Sequence, residues 1–170
     1  MARDGLKRDL VFYKTYHNNA ANVAIHAVFV PGILVATLRL LHEVQAWGVS
    51  AADAVAAAYV AYYVRLHAGA GAAAGALLGT LCWALHAGAV PLSAGQAVAL
   101  FCGGWVFQFV GHGVFERRRP AVADNVGGAL ATAPFFVLWE LLFALGLYPA
   151  LRAEVQAAVD AELAALARSK

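Results

Sequence analysis

Five apolar runs, about residues 21–41, 51–66, 69–89, 97–115 and 127–147, take up most of this chain and limit its folding more than any motif does. A bilayer core asks for roughly 20 mostly apolar residues per helical pass. Backbone placed in lipid must also satisfy its own hydrogen bonds, which helices do. Composition agrees: 62% of the 170 residues are hydrophobic and 13% are charged, against roughly 25% charged in soluble proteins. The expected fold is all-α: a polytopic membrane helix bundle of four to five spans with amphipathic terminal helices, one integral-membrane domain over residues 1–170.

The runs are not alike. The first contains Asn22, His26 and a Pro31-Gly32 pair expected to kink it. The second is short and alanine-rich, and with the third it forms a helical hairpin or two incomplete passes. Gly71, Gly75 and Gly79 repeat at the small-xxx-small spacing that lets membrane helices approach closely, so this face suits packing or an oligomer. The fifth run carries Pro134 and Glu140. Residues 4–16 read as an interfacial helix. In the tail, 149–170, Leu151, Val155, Val159, Leu163 and Leu166 recur at helical steps, so it should lie on the lipid bilayer or pack on the bundle. The first 20 residues are charged and polar and read as no cleavable signal peptide.

Charge sets the expected orientation. Arg3, Lys7, Arg8 and Lys14 precede the first span, and Arg117, Arg118 and Arg119 follow the fourth. The positive-inside rule puts both at the cytoplasmic face, of the inner membrane in a bacterium or of the endoplasmic reticulum in a eukaryote. The loops around 42–52 and 90–96 carry no Lys or Arg. A full fifth span would leave the tail outside; a re-entrant one would not. Net charge is +2 with no basic stripe, which argues against a nucleic-acid surface. Cys82 and Cys102 lie in apolar runs without CxxC spacing, so they imply packing rather than zinc or disulfides.

Two polar passages interrupt this apolar background: Tyr13 to Asn19, running on to Asn22 and His26, and Gln108 to Glu116 around His112. Ionisable groups at membrane depth are costly and mark function by default, and neutral imidazole is the commonest ligand for a transition metal. His17 falls at the mouth of the first span, His26 about one and a half turns inside it, and His112 near the same end of the fourth, so all three can share one depth. Gln108, His112 and Glu116 share a helix face at i, i+4 and i+8, as do Asn22 and His26. His17 and His26 would oppose each other on one straight helix at about 100° per residue. The Asn18-Asn19 pair is a natural break and cap that can turn the chain back. Three imidazoles with open positions suit iron(II) or zinc. Neither HExxH nor GxSxG is present. His42, about 24 Å beyond His26 along a continuous helix, belongs to the other face. His67 and His86 lack polar partners nearby in sequence, so all three suit structural or interfacial roles.

At these residues a resemblance emerges. Phe12-Tyr13-Lys14 through His17, Asn22 and His26 to Phe29-Val30-Pro31, with Gln108-Phe109-Val110-Gly111-His112-Gly113-Val114-Phe115-Glu116-Arg117-Arg118-Arg119-Pro120-Ala121 and Asp124-Asn125, resembles the family of the yeast 2-hydroxy fatty acid dioxygenase of phytosphingosine breakdown. Gly104-Trp105 and the Pro134-to-Glu140 segment extend it, while residues 51–95 match in hydrophobicity alone. The resemblance implies a membrane enzyme that uses Fe(II) and O2 to shorten a 2-hydroxy long-chain fatty acid by one carbon, cutting between C1 and C2. It implies that His17, His26 and His112 hold the metal. Glu116 or Asp124 would then orient a ligand imidazole or handle the hydroxyl proton, Gln108 and Asn22 would stand beside the site, and Glu140 would partner one histidine. Arg118 or Arg119 would pair with the substrate carboxylate. A di-iron hydroxylase or desaturase would want histidine boxes this chain lacks. A transporter or scaffold would be favoured by inverted repeats, and none is evident.

Overall fold

The computed structural model describes residues 2–117 and 126–168. It is all-α apart from one two-stranded hairpin: α1 (Ala2–Tyr16), α2 (Ala20–Leu41), β1 (Gln45–Ala46) paired antiparallel with β2 (Val49–Ser50), α3 (Ala51–Leu66), α4 (Ala68–His86), α5 (Ala94–Val110) continued by a π-helical segment (Gly111–Glu116), α6 (Val126–Ala144) and α7 (Pro149–Arg168). Four helices are long and apolar enough to cross a membrane: α2, α4, α5 with its π continuation, and α6. α3 has 16 residues, about 24 Å of rise. The outward faces carry Val28, Leu77, Trp83, Val98 and Val106, all exposed. An apolar exterior on span-length helices is what lipid as solvent selects.

Helix boundaries follow local chemistry. Asn19 caps α2, its side chain accepting from the N–H groups of Ala21 and Asn22. Ser50 and Asp53 form a reciprocal capping box at the start of α3, and Ser93 and Gln96 do so for α5. α3 and α4 pack as a tight hairpin because Gly71 lies against the backbone of Tyr63 and Val64, where any Cβ would collide. Gly75 meets the Val60 side chain, and Gly79 faces open space. The first two members of the small-residue stripe are thus used within the chain.

Ring and hydrogen-bond contacts fix the direction of each helix. Phe29 stacks on Phe107 at 4.3 Å, Gly32 faces Leu100 and Gly111 faces Asn22, so α5 runs antiparallel to α2. α6 runs parallel to α3: Tyr59 reaches Leu130, Tyr63 stacks on Phe135 at 4.5 Å, and His67 meets Trp139 edge-on. α5 and α6 therefore point toward the same end of the bundle, the end where His17 lies. α7 packs there on α1, burying Leu151, Val155 and Val159 against Leu6 and Leu10 in one core with Phe135, Trp139 and Phe143. α1 and α7 share that end.

A second core lies at the far end, with Leu38, Ala52, Ala56, Leu78 and Leu85 at its centre. There His86 pairs with Asp53 at 2.9 Å and its ring meets that of His42. His67 caps α4 by accepting from the Ala70 N–H. The histidines set aside from sequence thus have structural contacts. Cys82 and Cys102 are free thiols.

α6 contains Pro134, which has no N–H to give the Leu130 carbonyl one turn back. The Tyr59 hydroxyl supplies that bond at 3.1 Å, and Tyr63 donates to the Ala131 carbonyl at 2.8 Å. Tyr59→Phe should therefore remove the donor to the Leu130 carbonyl and cost about 0.5–1.5 kcal/mol, read as a lower Tm in detergent. An unchanged Tm would show that the proline gap needs no donor.

Candidate metal centre

α1 ends at Tyr16 and α2 begins at Ala20, so only three residues make the turn that brings the chain back. The turn is held from across the bundle. The Glu116 carboxylate accepts from the backbone N–H of Asn18 at 3.1 Å and of Asn19 at 3.0 Å, and from Asn22 Nδ2 at 3.0 Å. One side chain at the end of the π segment thus ties the α1–α2 turn to α5.

Held this way, the three histidines converge. The rings of His17 and His26 are 4.3 Å apart, those of His17 and His112 4.8 Å, and those of His26 and His112 4.9 Å. Each offers a ligand nitrogen within 4.8 Å of the others, and all three are buried. Among the described residues no other group of three histidine, cysteine or carboxylate side chains comes as close. Two rings are oriented by their own helices: His17 Nδ1–H donates to the Tyr13 carbonyl at 2.8 Å, and His26 Nδ1–H to the Asn22 carbonyl at 2.9 Å. A carbonyl can only accept, so Nε2 is left as the basic nitrogen of each ring, the arrangement usual for a metal-bound imidazole. The third, His112, has a buried Nδ1 with no hydrogen-bond partner among the described residues. Burial, reinforced by His26, pushes the His17 imidazole down to about 2, so it stays neutral with its lone pair free. Three neutral imidazoles plus an unpartnered ring nitrogen fit a divalent metal better than a hydrogen-bonded cluster.

The centre sits at the head of a cavity of about 690 Å³, inside the size range of ligand sites. Its walls are apolar, with Val30, Ile33, Leu34, Phe101, Trp105 and Phe136 prominent, and α6 contributes the stretch Gly128 to Pro134. Two polar groups in this wall have no partner. Gln108 Nε2 and the Tyr13 hydroxyl are buried and make no hydrogen bond among the described residues.

Comparison with known proteins gives the family. The Mpo1-like family, described as 2-hydroxy-palmitic acid dioxygenase Mpo1-like, matches residues 4–145. The 2-hydroxy-palmitic acid dioxygenase MPO1 of Saccharomyces cerevisiae is 43% identical over 152 residues, 89% of this chain and 87% of the relative. This chain belongs to the Mpo1-like family. It is thus a member of a family of dioxygenases. No solved structure matches.

For the Mpo1-like chain, two carboxylates expected at the histidines hydrogen-bond to other groups. Glu140 does not partner a histidine; it pairs with Lys14 at 2.7 Å. Glu116 makes no hydrogen bond to an imidazole, because backbone carbonyls already orient two of the rings, and its oxygens are taken by the turn. Asn22 serves both His26 and Glu116, while its Oδ1 lies buried against Gly111. Asp124, Arg118 and Arg119 lie outside the described residues. Two features escaped the sequence reading. Tyr13 stacks on His17 at 4.1 Å, a contact its i, i+4 spacing on α1 could have suggested. The π-helical turn around His112 is the other; Gly111 and Gly113 flanking a histidine were its only trace.

Gly111 also sets how closely α2 and α5 meet beside the histidines, since a Cβ there would collide with Asn22 Oδ1. Gly111→Ala should cost about 1–3 kcal/mol by overpacking and weaken metal binding. Gly113→Ala, whose Cβ meets nothing within 4 Å, should do neither. Thermal unfolding and metal titration of the two variants check this, and equal behaviour would refute it.

Proposed function

We propose that this protein is an iron(II)-dependent dioxygenase that cleaves 2-hydroxy fatty acids between C1 and C2, giving an acid one carbon shorter. The reaction balances when C1 leaves as carbon dioxide, one water forms, and four electrons pass from the substrate to O2. One observation carries the reading: three buried imidazoles stand at the head of a long apolar cavity in a membrane-spanning bundle. His17, His26 and His112 would hold the iron, which when bound supplies the one-electron chemistry that ground-state O2 requires.

The chain's own residues do the rest. Apolar walls take the acyl tail and keep water from the reacting carbons. The Gln108 amide and the Tyr13 hydroxyl, both lacking partners in the cavity wall, would donate to the oxygens of the substrate head. That places polar recognition beside the histidines and leaves the tail to the apolar end. Holding the head in one orientation removes part of the entropic barrier to reaction. Lys7, Arg8, Lys14 and Arg117 lie at the histidine end, which favours a cytoplasmic active site under the positive-inside rule.

A lipid hydroxylase or desaturase with two irons fits less well, because His42, His67 and His86 are occupied elsewhere. Metal analysis of purified protein should give one iron per chain. His17→Ala, His26→Ala and His112→Ala should each lose iron and cut oxygen uptake with 2-hydroxypalmitate by at least about 100-fold. Normal turnover in any one would remove that residue from the site. Folded, iron-loaded protein that takes up no oxygen would sink the reading.

A further inference from the structure

The cavity has a measurable length. Its lining on α2 runs from His26 to Thr37, and on α5 from His112 to Phe101. At 1.5 Å per residue each stretch advances about 16 Å along its helix. Two antiparallel helices thus give the same distance from the metal centre to the last lining residues. Beyond them the interior is filled. Leu34 and Tyr59 line the cavity and also pack on the far-end core. Leu38 and Ala52, fully buried in that core, close the next turn.

We infer that Thr37 and Phe101 form the floor of an acyl-chain ruler and set which 2-hydroxy acids the enzyme prefers. This rests on the dioxygenase reading above and deepens it. An extended chain advances about 1.2 Å per bond, so a depth of about 16 Å holds about thirteen carbons beyond C2. The preferred acid has about fifteen or sixteen carbons in all. Shorter tails leave apolar wall uncovered, and longer ones must bend or leave sideways into the bilayer.

The test is a ladder of saturated 2-hydroxy acids from ten to twenty carbons, with Kd measured by displacement of a fluorescent fatty acid from detergent-purified, iron-loaded protein. Affinity should rise about fourfold per methylene and stop rising at about sixteen carbons. Thr37→Phe raises the floor and should move that break about two to three carbons shorter; Phe101→Ala lowers it and should move the break longer by a similar amount. The variants act in opposite directions, so if one fails to fold the other still decides. A ladder that climbs to twenty carbons without a break overturns the ruler, because the tail then leaves sideways. So does a break that stays at one length in wild type and variants. Wild-type protein that binds no 2-hydroxy acid overturns the dioxygenase reading and the ruler with it.

Discussion

The histidine cluster depends on one carboxylate. Glu116 takes two backbone N–H groups from the three-residue turn between α1 and α2 and one side-chain N–H from Asn22. The packing of α1 on α7 and the Lys14–Glu140 pair place α1 in the bundle; the clamp holds the turn that carries His17. With it, the chain reverses at Asn18-Asn19 and His17 meets His26 and His112 across a few ångströms. Hydrogen bonds to a charged acceptor are roughly twice as strong as neutral ones. The residue expected to orient an imidazole or handle a proton therefore does something more basic: it helps make the three histidines neighbours.

Much of this architecture was legible in the sequence, because lipid writes its demands in composition. Twenty-residue apolar runs, the cap at Asn18-Asn19 and small residues at Gly71 need only local physics to read. So did the shared depth of His17, His26 and His112, which follows from counting residues inward from one end of each span. Partner choice was not legible. Glu140 and Glu116 are both carboxylates near a histidine in sequence or depth, and nothing in their spacing tells that Lys14 claims one and a turn claims the other. Nor does spacing predict the π turn, at whose start Gly111 seats against Asn22.

The unpaired polar groups complete the contrast. Elsewhere the bundle satisfies some awkward atoms, as where Tyr59 answers the carbonyl that Pro134 leaves open, but leaves His42 Nδ1 and Trp139 Nε1 without partners among the described residues. Around the cavity it leaves Gln108 Nε2, the Tyr13 hydroxyl and His112 Nδ1 without hydrogen bonds among the described residues. A buried donor without a partner costs about 1–3 kcal/mol. Such groups collected around one cavity are a place where the fold gives up stability.

The heading of α6 bears on how the chamber is closed. Successive apolar segments threaded into a bilayer normally alternate in direction, yet α5 and α6 both point toward the end of the bundle where His17 lies. α6 is therefore not a simple next pass after α5. The tyrosines of α3 meet its backbone, and its stretch from Gly128 to Pro134 forms one side of the chamber. A segment whose composition looks like an ordinary span is thus the one that closes the chamber.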